Sequence, residues 1–226
     1  MHNWQTIYII IVLLIILFQG LYFIHYYVEF KLKVAIYYAV FLLLYVFDIM
    51  LLNREHLFTN LTIDVQISNL IIQLVNCVSG IIYYKILLLL FNFKKTNRQI
   101  YRLIQFLTVL TSILFVVVII FYLQKLNINT LVNNTLLFLA PLFLWIVFAI
   151  WKRKEPFATY IKYGLLCIII GISIPTIISF IFFSYKYQPQ SVFFIPAQIA
   201  LVIDTLLFSK AILCQQDGYS HYAKYK

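Results

Sequence analysis

Five residues within one apolar stretch have types and spacing suited to binding chemistry. Gln66, Asn69, Gln73, Asn76 and Gly80 recur at intervals of 3, 4, 3 and 4. On a helix that interval aligns them along one stripe, which Tyr83 and Tyr84 continue. Amides in hydrocarbon need partners, so this face turns toward other helices and away from lipid. Two roles fit it. The amides can hydrogen-bond a packed neighbour, or they can line a polar cavity open to the outside and bind a small ligand. On the second reading Gln66, Asn69, Gln73 and Asn76 are the ligand-binding residues.

The other chemical feature is an acid. Residues 198–210 read QIALVIDTLLFSK, an apolar run interrupted by Asp204. A lone ionised carboxylate in such a run is costly unless it finds a donor. Intramembrane acids serve as structural acceptors, as switches or as proton carriers. Ala197 and Ala200 share the face of Asp204 and would let another helix approach closely. Tyr84 and Lys85 lie at a similar depth in their own run, Tyr84 on the amide stripe and Lys85 pointing away from it with a stem long enough to snorkel. Asp204 with Tyr84 or Lys85 is the expected signal-coupling lock between the third and seventh helices.

What positions these residues is a series of long apolar runs. The chain has 226 residues, 64% of them hydrophobic and 11% charged, with a mean hydropathy of +0.97. A soluble domain of this length would carry about a quarter charged residues. A helix needs roughly 20 apolar residues to span a bilayer. Seven runs qualify, at about 5–28, 34–52, 67–91, 103–123, 133–151, 161–184 and 193–213. The expected fold is therefore an all-α integral membrane protein, a seven-transmembrane-helix bundle over residues 1–213, with a short cytoplasmic tail at 214–226. The N-terminal run lacks the basic region and small-residue site of a cleaved signal peptide, so it reads as a retained helix.

Charge sets the orientation. Of the 17 Lys and Arg, 13 fall after runs one, three, five and seven, three fall on the other side, and Lys85 lies within run three. Basic residues accumulate on the cytoplasmic side, which puts the N-terminus outside and the C-terminus inside, as an odd number of spans requires. The formal net charge of +10 is thus taken up by topology and by anionic membrane lipid, to which KKTNRQIYR at 94–102 is suited, and nucleic acid is not an expected partner.

Catalytic signatures are missing. There is no HExxH, GxSxG or phosphate-binding glycine loop, and the three cysteines and four histidines form no ligand spacing. No enzyme activity, cofactor or metal is expected. A retinal protein would need a lysine near the middle of the last helix, whereas Lys210 lies near its inner end. A small transporter using the same polar face, or a membrane subunit or scaffold, is the alternative, although paired broken helices in matching halves are lacking.

Three segments together resemble the seven-helix region of the bacterial 7TM receptors with diverse intracellular signalling modules (7TMR-DISM). They are GLYFIHYYVEFKLKVAIYYAVFLLLYVFD at 20–48, IIYYKILLLLFNFKKTNRQIYRLIQFL at 81–107 and IPAQIALVIDTLLFSKAI at 195–212. Asp204 takes the acidic position of the family's seventh helix, where Glu is more usual. The resemblance implies a sensory receptor of the bacterial inner membrane that passes an extracytoplasmic small-ligand signal inward. Such receptors carry an outer ligand-binding domain and an inner histidine kinase, cyclase or other module. This chain starts at helix one and has 13 residues after Leu213, so the expectation is a partner that supplies the output, or a cut-down receptor.

Overall fold

A computed structural model describes residues 3–57, 64–182 and 190–224. Among these residues the chain is entirely helical: α1 (Asn3–Phe30), α2 (Lys33–Leu52), α3 (Arg54–Leu57), α4 (Val65–Phe91), α5 (Phe93–Thr96), α6 (Arg98–Leu123), α7 (Ile128–Trp151), α8 (Pro156–Phe182) and α9 (Gln190–Lys224). Among the described residues five segments are long and apolar enough to cross a membrane: Thr6–Phe30, Lys33–Leu52, Gln66–Phe91, Arg98–Leu123 and Gln198–Gln215. Shorter apolar stretches, Pro141–Trp151 and Pro156–Gly171, lie in α7 and α8. With these helices the chain is a multi-pass membrane protein. The sixth expected run, 161–184, ends two residues outside the described part.

The exposed surface has the pattern lipid requires. On α1, Ile7, Ile11, Leu14, Phe18 and Leu21 are exposed, and on α6, Phe106, Val109, Ile113, Val116 and Ile120. Both rows advance by three and four residues, the repeat of one helix face. Their opposite faces are buried through Ile9, Val12, Ile16 and Phe23 on α1 and Ile100, Ile104, Leu107 and Thr111 on α6. Water would disfavour such outer rows, whereas lipid accepts them.

The chain divides into two compact units, Met1–Ile146 and Val147–Lys226. In the first, sequential neighbours pack together: α1 on α2, α2 on α4, and α4 on α6. Gly20 permits the close approach of α1 and α2, since a Cβ there would lie 3.5 Å from Leu43 Cδ2. One turn further along α1, Phe23 meets Tyr38 edge-on at a centroid distance of 5.0 Å.

Short capped turns hold the ends of this unit. Lys31 closes α1 in the left-handed conformation, with its N–H donating to the Tyr27 carbonyl. Asn92, also left-handed, stops α4 and starts α5, which is anchored by the fully buried Phe93. Asn97 then caps α6 by accepting from the Ile100 N–H at 3.2 Å, so the helix begins at Arg98, ahead of the apolar run at 103. The opposite end is tied by Arg54, which donates to the Leu51 carbonyl and to the buried Ser68 hydroxyl, at 2.9 Å for the latter. Asp64 caps α4 there, accepting from the Gln66 N–H at 2.7 Å.

In the second unit α8 and α9 form a long antiparallel pair. Ala158, Ile161 and Leu165 of α8 are buried, as are Ala200, Thr205, Phe208, Ala211 and Ile212 of α9. The last helix runs through to Lys224, well past the end of the apolar run at 213, so most of the expected tail continues α9. Leaving the bilayer does not require a helix to stop, because its backbone hydrogen bonds are internal.

Candidate functional site

The amide stripe emerges in α4 as the sequence implies, but its four amides occupy different surroundings. Gln66 and Asn76 are exposed, and Asn69 and Gln73 are half-buried. None of the four side chains hydrogen-bonds another described residue. Beyond Asn76 the same helix approaches α6 closely. There a Cβ at Gly80 would touch Thr111 Cγ2 of α6 at 3.7 Å, and the buried Tyr84 shares a hydrogen bond with the same threonine. The two amides nearest the start of α4 line a cleft.

This cleft has a volume of about 340 Å³ and is bounded by Gln66, Asn69, Tyr122, Lys125, Asn127 and Ile128. It forms where α4 begins, α6 ends and α7 begins. Ile128, which lines it, belongs to an apolar cluster in which Val118 and Ile128 are buried against Leu70, Leu74, Leu114 and Phe121. The wall of the cleft is the turn between α6 and α7. The Leu126 N–H donates to the Phe121 carbonyl at 2.9 Å, and the Lys125 N–H to the Tyr122 carbonyl at 3.0 Å. That pair of bonds, with Lys125 at φ 56°, is the glycine-type helix stop known as a Schellman motif. The turn projects a cationic side chain at the rim of a depression lined by amide and apolar groups, as small-ligand sites commonly combine apolar lining with a few placed polar groups.

Asp204 sits in a different setting. It is 8% exposed, in the second unit, against Gly164 of α8. A Cβ at Gly164 would lie 2.2 Å from Asp204 Oδ1, a distance that real atoms do not tolerate. The oxygen therefore lies along a Cα–H direction of the glycine, the arrangement of a weak Cα–H···O contact. No lysine or arginine pairs with this carboxylate among the described residues. As to the other two residues of the expected lock, Tyr84 has its hydroxyl engaged with Thr111 inside the first unit, and Lys85 is exposed.

No family model, curated protein or solved structure matches this chain. The resemblance to 7TMR-DISM proteins accordingly rests on its motifs alone.

Sequence reasoning missed several residues that the fold makes prominent. Lys125 counted only as one of three cations on the cation-poor side, and that scarcity was the available signal. Tyr122 and Ile128 carried none, because apolar and aromatic residues fill every run. Gly164 looked like any membrane-helix glycine until Asp204, forty positions later, was placed against it. Gln19 of α1 is half-buried with neither amide atom bonded among the described residues, and Asp48 Oδ1 of α2 is likewise buried and unbonded.

Proposed function

We propose that this chain is a receptor-like sensor of the bacterial inner membrane with seven spans, its N-terminus outside and its C-terminus in the cytoplasm. The count is supported by the 24 residues of α7 and the 27 of α8, which as helices reach about 36 and 40 Å, enough for a hydrocarbon core of about 30 Å. The orientation is supported by charge. Within the first unit, Lys31, Lys33, Lys94, Lys95, Arg98 and Arg102 gather at the end opposite the cleft, whereas Arg54 and Lys125 are the cations at the cleft end. The positive-inside rule then turns the cleft outward.

The observation that carries the receptor reading is the cleft itself, a pocket lined by Gln66 and Asn69 of the amide stripe together with Lys125. A ligand there touches the start of α4 and the turn after α6 at once, so it favours whichever arrangement of these helices fits it best. Asp204 keeps α8 and α9 in one register, and α9, continuous to Lys224, carries the response to a cytoplasmic histidine kinase, cyclase or similar partner. The chain performs no chemistry of its own in this scheme.

Affinity purification of the tagged chain from its native membrane, with mass spectrometry, tests this. A signalling enzyme recovered in stoichiometric amount is the expected result. A small transporter is the second reading, favoured by Gln73 and the exposed Asn76, which extend the amide row beyond the cleft. Recovery of the chain without partners, together with solute uptake into proteoliposomes, would replace the receptor by the transporter.

A further inference from the structure

We infer that the cleft takes a small ligand bearing one anionic group, a carboxylate or a phosphate, with the Lys125 ammonium as its counter-ion. This rests on the reading of the cleft as a ligand site and specifies what enters it.

The first argument is charge. Lys125 is the one charged residue lining the cleft, and among the described residues no carboxylate pairs with it. Two described charged groups at this end of the unit have partners of their own. Asp64 accepts from the Gln66 N–H at the start of α4, and the Arg54 guanidinium is bonded to Ser68 and to the Leu51 carbonyl. An anion entering the cleft would meet one unpaired cation, and the Gln66 and Asn69 amides could supply further donors.

The second argument is the backbone. Lys125 occupies the position of the helix stop that glycine fills without steric cost, and it does so at φ 56°. Lys31 adopts the same conformation at the other end of the unit, where its ammonium lies 5.8 Å from the centroid of the Tyr27 ring. Lys125 has neither a ring nor an acid partner among the described residues. A strained position whose side chain has no internal use points to an external one. Below the rim, Tyr122, Leu126 and Ile128 provide surface for the uncharged remainder of the ligand. The size of the cleft restricts that ligand to a small molecule or a single headgroup.

The test uses the full chain in phosphatidylcholine nanodiscs and follows its thermal midpoint with butyrate, glutamate or inorganic phosphate. Butyramide and butylamine serve as uncharged and cationic controls. At least one anion raises the midpoint, and the controls do not. Lys125→Arg keeps the response. Lys125→Gly weakens it by about ten- to a hundredfold in apparent affinity, the range for losing a charged hydrogen-bond partner. Without probe, Lys125→Gly melts at or above the wild-type temperature, because glycine relieves the left-handed position. This separates lost binding from lost folding.

Phosphatidylglycerol in the disc distinguishes the two sources of anion. If it raises the midpoint and abolishes the response to soluble anions, the ligand is a lipid headgroup. If the response survives, the ligand comes from solution. The inference is overturned if none of the three anions raises the midpoint, if butyramide acts as well as butyrate, or if Lys125→Gly responds like the wild type. Anion binding accompanied by uptake of the same anion into proteoliposomes would uphold the inference and sink the receptor reading. A signalling partner copurifying with a chain indifferent to all three anions would do the reverse.

Discussion

Two polar sites in this chain meet the apolar phase in opposite ways. The amides of α4 stand at a surface or half-way to it, with no bonded neighbour among the described residues, and two of them, Gln66 and Asn69, line a cleft that a solute could enter. Asp204 is enclosed against a glycine that leaves space for nothing larger than hydrogen. An open, unpaired polar group costs little and is available to a ligand, because water can solvate it until the ligand arrives. A buried one must be fitted by its own fold, and stability then depends on that fit. The amide row is therefore the place to look for recognition, and the Gly164–Asp204 contact the place to look for structure.

Mutations at the two sites should separate along this line. The largest effect is expected at Gly164→Leu, where the whole side chain would have to displace Asp204. A loss on the order of 3 kcal/mol, the upper end of overpacking, should appear as a lower unfolding midpoint in mixed micelles, and a wild-type midpoint would break the comparison. Gly164→Ala is expected to cost about 1–3 kcal/mol by the same measurement. Adding Asp204→Ala to it should recover part of the loss, giving a coupling energy of at least about 0.5 kcal/mol in a double-mutant cycle, whereas strict additivity would mean the two residues do not touch.

Tyr84→Phe is intermediate. It removes the hydrogen bond to Thr111 and leaves the threonine hydroxyl without that partner, for a cost of about 1 kcal/mol in the same assay. Were Tyr84→Phe to cost as much as Gly164→Leu, the hydroxyl would have a further role. The smallest effect is expected at Asn76→Leu. An exposed amide that bonds no described residue should change stability by no more than about 0.5 kcal/mol in either direction, and a large loss would show the stripe to be structural after all.

The helices were legible because their signal is additive. In each run some twenty residues vote, and five of the seven expected runs fall on helices long and apolar enough to cross a membrane. The errors lie where a single residue decides. Asn97 starts α6 five residues before hydropathy rises, and Asn92 inserts the short α5 that no periodicity announces. At the C-terminus the change from apolar to polar marks where the membrane would end, not where the helix does, and α9 continues to Lys224.

The site was half legible for a related reason. Four amides at helical spacing form a pattern within one element, and two of them, Gln66 and Asn69, do line a cleft. The remaining walls come from Tyr122, Lys125, Asn127 and Ile128, about sixty residues away along the chain. A pairing over that distance leaves no trace in periodicity. The same holds for Asp204. The sequence offered donors on another helix, Tyr84 and Lys85, whereas the contact made inside its own unit is with a residue that has no side chain at all.

The contact between Gly164 and Asp204 also fixes the order in which this chain could change. A larger residue at 164 is obstructed while the carboxylate is in place, since the first added carbon would overlap Oδ1. Shortening position 204 to alanine removes that obstacle and opens the neighbouring site to alanine or serine. The reverse sequence passes through a destabilised intermediate. Of the two mutational paths between a Gly–Asp pair and an Ala–Ala pair, only the one that begins at 164 meets that overlap, so variants of this chain with a side chain at 164 should be found only where position 204 has already become small.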